Sequence, residues 1–178
     1  MEYKILRSRR KSLAIEITPR GEVLVRTPLR MAKRDIQRFV ESKQGWIVTH
    51  LSKIHTAPAL TAEEHTALIC SAKEILPVKA DRYARLLGVS YNRITIRSQK
   101  SRWGSCSAAG NLNFNCLLML APEEVQNYVV VHELCHRKHM DHSPAFWQEV
   151  EKILPEYRQQ KAWLTEHGSS LLARLPLL

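Results

Sequence analysis

The pattern of apolar and polar residues in the first part of the chain predicts a β-hairpin followed by a helix. Apolar residues alternate with smaller or polar ones over 13–17 and again over 23–25, which is the period of a half-buried strand. Pro19-Arg20-Gly21 lies between these runs and supplies a turn. From residue 31 onward, apolar residues recur at steps of three or four, as on one face of a helix: Ile36, Phe39, Val40, Ile47 and Leu51.

Beyond residue 60 the pattern changes to longer helices with two strands between them. Residues 55–62 mix small residues with proline and make the best linker, so we place a boundary between a region 1–60 and a domain 61–178. A helical stretch follows over 62–87, bent or split at Pro77 and ended by Gly88. Alternation at 94–97 and 112–116 predicts two strands around a loop over 99–110. Helices from Pro122 to about Met140, over 144–154 and over 157–167 complete an α+β domain.

Within the helix that begins at Pro122, the run His132-Glu133-Leu134-Cys135-His136 has the spacing of a zinc site. His132 and His136 lie one helical turn apart, so both imidazoles leave the same face and can bind one cation. Three protein ligands leave a fourth position for water, whose pKa falls to about 7 in such sites. Glu133 lies beside this face and can accept the proton of that water. We therefore predict zinc as the cofactor and Glu133 as the general base.

His142 is the third ligand that the predicted chain path favours. His139 shares the helical face, but at about 1.5 Å per residue it lies ~10 Å along the axis from His132, too far for one ion. The next helix begins at residue 143 with a serine and a proline, so the chain turns before it and can bring His142 back to the metal. Asp141 stays an alternative ligand, or a carboxylate that orients a histidine.

An ordinary amphipathic helix with histidines four residues apart is the alternative to a metal site. Apolar residues over 128–131 place apolar side chains on several faces of this helix, which indicates burial. Two histidines and a glutamate in a core are costly without a metal or hydrogen bonds, and this favours the metal. Cys135 is best explained as a small buried apolar residue, with a metal role as its alternative.

The same residues carry a family resemblance. The stretch YVVVHELCHRKHMDHSPAFW resembles the active-site region of the YgjP-like metallopeptidases, a zincin family of small intracellular proteins. The similarity extends to SRWGSCS, NLNFN, LAPEEVQNYV, the early RSRRKSLAIEI and KQGWI around Trp46, and more distantly to the SprT and Wss1 proteases. It implies a zincin-like domain with a small sheet packed on the metal-binding helix, and a zinc-dependent hydrolase with His132, His136 and His142 as ligands. His139 departs from some zincins, which have glycine there to make the turn.

The loop that contains Trp103 and Gly104 is a candidate substrate-binding segment. In zincins, a strand beside the cleft can pair with an extended substrate through main-chain hydrogen bonds, and glycine permits close backbone approach. The alternative is structural, with Trp103 filling the core beneath the metal helix and Gly104 making a turn.

Composition and charge bound the class of protein. The chain has 178 residues, 44% of them hydrophobic, which is enough for one sizeable core or two small ones. It has no apolar run long enough for a membrane span and none typical of a signal peptide, and its four cysteines show no paired spacing. We expect reduced cysteines, a cytoplasmic location and no membrane partner.

The positive charge is concentrated near the start of the chain. Residues 1–60 hold 13 Lys and Arg against 5 Asp and Glu, so +8 of the net +10 lies in this small basic hairpin and helix region. Such asymmetry can attract nucleic acid or an anionic substrate. A solvated basic surface is the favoured explanation, because the cations Arg7, Arg9, Arg10 and Lys11 have no aromatic residues between them for stacking.

Three functions follow from these observations. The first is a zinc metallopeptidase that hydrolyses polypeptides. The second is a metal-dependent hydrolase of a nucleotide pyrophosphate bond, which the absence of a glycine-rich phosphate loop and the three histidines disfavour. The third is a nucleic-acid-associated protease or binding module that uses the basic N-terminal third.

Overall fold

The chain folds into two compact units, Met1–Pro58 and Ala59–Leu178. The structure, a computed structural model, describes residues 2–18, 21–52 and 58–175. The predicted linker over 55–62 lies partly outside the described residues, and the predicted boundary at residue 60 stays a prediction.

The first unit is built on a three-stranded sheet of β1 (Lys4–Ser8), β2 (Ala14–Ile17) and β3 (Val23–Pro28) in the order β1-β3-β2. The antiparallel β2–β3 pair is the predicted hairpin; residues 19 and 20 of its predicted turn lie outside the described part of the chain. Strand β1, which pairs in parallel with β3, is absent from the sequence prediction. All of its residues are exposed, so it carries no alternation of buried and exposed positions.

Two helices, α1 (Lys33–Ser42) and α2 (Gln44–Ser52), replace the single helix predicted from residue 31. The prediction of one helix is wrong because Lys43 leaves the helical conformation, with φ −109° and ψ 8°, and its N–H bonds Val40 in a tighter turn. The break lets both helices bury apolar residues in one small core: Val23, Val25, Ile36, Val40 and Ile47.

The second unit begins with α3 (Ala62–Leu87), which covers the stretch predicted for it. The side chain of Thr61 accepts a hydrogen bond from Glu64 N–H, and the Glu64 side chain accepts one from Thr61 N–H, so the first turn is capped. Gly88 ends the helix with φ 66°, a left-handed conformation that suits glycine. Pro77 lies inside the helix and does not split it.

A second sheet contains β4 (Arg93–Arg97), β5 (Gly104–Cys106) and β6 (Asn111–Asn115) in the order β4-β6-β5. Strands β4 and β6 correspond to the predicted pair. Strand β5 lies within the predicted loop over 99–110, so that loop was predicted too long; three residues are too few to show a period. Cys116 was predicted in a strand, but it begins a short 3₁₀ helix, Cys116–Leu120, because Asn115 caps this turn through Leu117 N–H.

Three helices complete the second unit: α4 (Glu123–Cys135), α5 (Pro144–Ile153) and α6 (Tyr157–Leu172). The Lys79 ammonium on α3 contacts the Glu123 carboxylate at 2.7 Å and the Asn127 side-chain oxygen at 2.8 Å, which ties α3 to α4. The core lies between these helices and the second sheet, with Phe114, Leu134 and Phe146 fully buried. The predicted α+β class is confirmed. Among the described residues, no helix combines the length and apolar character of a membrane span.

The buried amide of Asn115 holds the loop that leads into β5. Its Nδ2 donates to the carbonyls of Gln99 at 2.7 Å and Arg102 at 3.0 Å, while its Oδ1 accepts from Leu117 N–H at 3.1 Å. One fully buried side chain therefore satisfies three backbone groups from two segments.

Replacing Asn115 with alanine should lower the free energy of unfolding by about 2–3 kcal/mol, because buried backbone groups lose their partners. Asn113→Ala is the matched control: its half-buried amide donates to the Ser105 hydroxyl and should cost less than about 1 kcal/mol. Urea unfolding followed by circular dichroism measures both, and equal losses for the two variants would contradict this role of Asn115.

Candidate metal centre

The structure brings His132, His136 and His142 together at the end of α4. Their candidate ligand atoms all lie within 4.8 Å of one another, and His132 Nε2 is 3.1 Å from His142 Nε2. Two nitrogens bound to one tetrahedral zinc at about 2.0–2.1 Å lie roughly 3.3 Å apart, close to that spacing. These are the three residues that the sequence predicted as ligands.

The rings converge because α4 ends earlier than predicted. The helix stops at Cys135 rather than near Met140, and His136 follows as its cap. Arg137 N–H bonds the Leu134 carbonyl in a tight turn, and the Arg137 guanidinium bonds the carbonyls of residues 90 and 108, outside the helix. The chain is then free to turn back towards the helix before α5 begins.

Asp141 and His139, the alternative third ligands, take other roles in this turn. The Asp141 carboxylate accepts a hydrogen bond from Ser143 N–H at 3.2 Å, just before α5, and the Ser143 hydroxyl together with this N–H lowers the pKa of Asp141. The His139 backbone carbonyl lies 3.0 Å from His136 Nδ1. That contact fixes the orientation of the His136 ring and leaves its Nε2 for a metal.

Aromatic side chains support the three imidazoles. Phe146, fully buried on α5, lies under all of them, with centroid distances of 4.9 Å to His132, 4.6 Å to His136 and 4.9 Å to His142. The His132 ring also packs against Tyr128 and Trp147. His132 Nδ1 is buried and has no hydrogen-bond partner among the described residues, so these ring contacts hold its orientation.

Burial and the neighbouring imidazoles lower the pKa values of His132 and His136 and so favour the neutral form that binds metal. Burial lowers the pKa of His132 to about 3, with smaller contributions from His136, His142 and the Lys161 cation. Burial also lowers the pKa of His136, which is 9% exposed. Neutral imidazoles present lone pairs to a cation, so the donor set fits a divalent ion such as zinc.

Glu133 is a buried carboxyl beside the histidine cluster. It is 6% exposed, and burial raises its pKa to about 8, an effect that Arg102 partly opposes. A divalent cation in the cluster would favour the carboxylate and release its proton. Glu133 therefore lies beside the histidine cluster, and its role as general base stays a prediction.

Gly104 makes room for Glu133. A Cβ atom on Gly104 would lie 2.7 Å from both Cγ and Oε1 of Glu133, far inside van der Waals contact. The close backbone approach expected of this glycine is thus made to the carboxyl side chain. Gly104 also lines the cleft, and its contact with substrate stays a prediction.

Trp103 packs away from that cleft. Its Nε1 would lie 3.1 Å from a Cβ atom on Gly168 of α6, and its ring is half-buried against the main core. This position agrees with the structural interpretation of Trp103, and a substrate contact by it stays a prediction.

Cys135 is fully buried, and burial raises its pKa to about 12, which agrees with its interpretation as a small buried apolar residue. All four cysteines are free.

The histidine cluster opens into a cleft of about 360 Å³, and two cations lie in or near it. Arg102, exposed next to β5, lines this cleft. The Lys161 ammonium of α6 lies 4.2 Å from the ring centroid of Trp147, which stacks on His142 at 5.8 Å. No sequence pattern gives Arg102 a catalytic role or singles out Lys161, because only the fold places Lys161 near the histidines.

Comparison with known proteins assigns the family. A family model described as "YgjP-like, metallopeptidase domain" matches residues 11–70 and 65–167, which is most of the chain. The chain belongs to this YgjP-like family. The predicted resemblance is confirmed, and the family description names a metallopeptidase domain, as the histidine cluster suggests.

Individual relatives of this YgjP-like chain are more distant. A UTP pyrophosphatase of Escherichia coli (strain K12) is 29% identical over 96 residues, which cover 51% of this chain and 58% of that protein. The match thus spans little more than half the length of this curated relative. The metallopeptidase zymogen of Pyrococcus abyssi abylysin aligns with a TM-score of 0.48 and 24% identity. This alignment covers 58% of this chain and 100% of the abylysin chain. The zymogen of Methanocaldococcus jannaschii jannalysin aligns with a TM-score of 0.46 and 20% identity. This alignment covers 52% of this chain and 95% of the jannalysin chain.

We predict that the purified chain binds about one zinc ion and that zinc raises its melting temperature, because a ligand of the folded state stabilises it. His142→Ala should abolish most of that rise, whereas His139→Ala should keep it, since His139 contributes only a backbone carbonyl. Metal analysis and thermal unfolding with and without chelator test this. Equal zinc-dependent shifts in both variants would exclude His142 as a ligand.

Proposed function

We propose that this YgjP-like protein is a zinc-dependent metallopeptidase with His132, His136 and His142 as ligands and Glu133 as general base. The observation that carries the proposal is the convergence of three imidazoles beside a buried carboxyl in one cleft. The family match supports the peptidase class.

In this proposal the bound zinc, Glu133 and Gly104 have different roles in hydrolysis. When bound, zinc supplies Lewis acidity, which acidifies water and polarises the scissile carbonyl. Glu133 accepts a proton from the attacking water through its carboxylate oxygen and then donates it to the leaving nitrogen. Gly104 fixes where that carboxyl lies, and burial keeps bulk water from competing for its proton.

The free edge of β5 supports a polypeptide substrate. Strand β5 is at the edge of its sheet, and its register pairs Ser105 with Asn113 of β6. The Trp103 carbonyl accepts from Asn115 N–H and Ser107 N–H donates to Asn111, so alternate residues bond β6. Gly104 and Cys106 therefore direct their backbone groups away from β6, and both line the cleft. An extended peptide can add to this edge as a further strand beside Glu133.

Glu133→Gln should abolish chelator-sensitive peptide hydrolysis, by at least about a hundredfold, because the amide cannot accept the proton of water. Zinc content should stay that of the unmodified chain. Glu124→Gln is the matched control on an exposed position of the same helix and should keep full activity. Cleavage of an unfolded casein substrate measures both. Full activity of Glu133→Gln would refute its role as the base.

A second candidate function is the hydrolysis of a nucleotide pyrophosphate bond. Two observations favour it: the curated relative named a UTP pyrophosphatase, and the cations Arg102 and Lys161 near the metal cluster. Both groups influence site residues electrostatically, and both side chains are exposed to a ligand. Guanidinium and ammonium groups are the usual partners of phosphate oxygens.

Changes at Arg102 and Lys161 separate the two functions. If the substrate is a nucleoside triphosphate, Arg102→Ala with Lys161→Ala should raise KM for UTP about tenfold or more, since two charge-assisted contacts are lost. Hydrolysis of an uncharged peptide should change much less. Exposed Lys138, paired with Glu149, provides a control, Lys138→Ala. Release of pyrophosphate from UTP and cleavage of peptide, each with and without chelator, show which bond the chain hydrolyses.

A cytoplasmic location belongs to the same proposal. It rests on the composition and on the free cysteines, which suit a reducing compartment.

A further inference from the structure

In the sheet of the first unit, the cations of two separate segments meet on the side where the carboxyl ends of β1 and β3 lie, which is called an edge here. Strands β1 and β3 run in parallel, and their register pairs Ser8 with Pro28, so both strands end at the same edge. Residues 9–11 follow β1 and residues 29–34 follow β3. Strand β2 starts near this edge too, because Ala14 pairs with Arg26. Neighbouring strands lie about 4.8 Å apart, so the segments that leave them are neighbours.

Arg7 holds these two segments together. Its guanidinium donates to the carbonyls of Leu29 at 2.7 Å and Met31 at 3.0 Å, across the turn between β3 and α1. The last turn of chain before α1 is thereby fixed beside the end of β1. We call the resulting cluster the basic edge, and its six members are Arg9, Arg10, Lys11, Arg30, Lys33 and Arg34.

The cations of the basic edge lack the carboxylate partners that other cations of this unit have. Lys4, at the opposite end of β1, pairs with Glu22, and Arg26 pairs with Glu16. Among the described residues no ion pair involves a member of the basic edge. Five members are exposed and Arg10 is half-buried, while Asp35 is the acidic residue in the same stretch.

The composition of the basic edge indicates what it binds. A protein partner would need an apolar centre, but the exposed apolar side chain in these segments is Leu29, with 54% exposure. No aromatic residue occurs in 7–11 or 28–34, so stacking on unpaired bases is not available there. Unpaired Arg and Lys at this density match the phosphates of a duplex, whose interfaces are polar and strongly positive.

We propose that the basic edge binds the phosphate backbone of a double-stranded nucleic acid without reading its sequence. This binding site is separate from the proposed metallopeptidase chemistry and uses no residue of the metal centre. A chelator should therefore leave duplex binding unchanged, and loss of peptide hydrolysis would not affect it.

The test is fluorescence anisotropy of the full chain with labelled short DNA and RNA duplexes of mixed sequence. Arg9→Glu with Arg30→Glu should weaken binding at low salt by about tenfold or more. The slope of log affinity against log salt should fall in magnitude by about 2, because each phosphate contact contributes roughly 0.9. If charge reversal impairs folding, as judged by circular dichroism, Arg9→Gln with Arg30→Gln should weaken binding in the same direction.

The matched control reverses the same amount of charge elsewhere on the unit. Arg38→Glu with Lys43→Glu changes two exposed cations, one on α1 and one directly after it, and Lys43 lies about 15 Å along the helix direction from the start of α1. This control should weaken duplex binding much less than the edge variant. Equal weakening by both variants would show a response to net charge alone and overturn the proposal. Binding of the chain to polyglutamate, with no binding to either duplex, would also overturn the proposal.

Discussion

The end of helix α4 at Cys135 is the constraint on which the rest of the site depends. A helix that ran on to Met140 would carry the later histidine away along its axis, and three imidazoles could not meet. The stop is enforced from outside the helix, because the Arg137 guanidinium bonds carbonyls of residues 90 and 108. Packing of Phe146 under all three rings then makes the turned-back path of the chain favourable. The metal centre is thus a product of tertiary contacts as much as of helical spacing.

Burial gives the residues of this centre their chemical character. It favours the neutral forms of His132 and His136 and raises the pKa of Glu133 to about 8, so a cation in the cluster would favour release of the Glu133 proton. The same burial is possible only because Gly104 has no side chain where the carboxyl lies. Asn115 fixes the loop before Gly104 through two backbone carbonyls. A chain of contacts therefore runs from a buried amide in the sheet to the proposed base.

Sequence reasoning succeeded where a pattern is local and periodic. The helix over 62–87, strands β4 and β6 and the pair of His132 and His136 follow from spacing, and His142 follows from the turn expected before residue 143. It failed where tertiary contacts decide: β1 is exposed throughout, β5 has three residues, and no glycine or proline marks the end of α4. The charge of the first unit was countable from the sequence, but the meeting of residues 9–11 with 29–34 required the parallel pairing of β1 and β3.

X-ray absorption spectroscopy of the zinc-loaded chain tests the central claim most directly, since it reports the atoms around the metal. We expect imidazole scattering from about three nitrogen ligands near 2.0–2.1 Å with a further light atom. We also expect that His142→Ala removes part of the imidazole signal. A sulfur shell near about 2.3 Å, or a spectrum that His142→Ala leaves unchanged, would contradict the account.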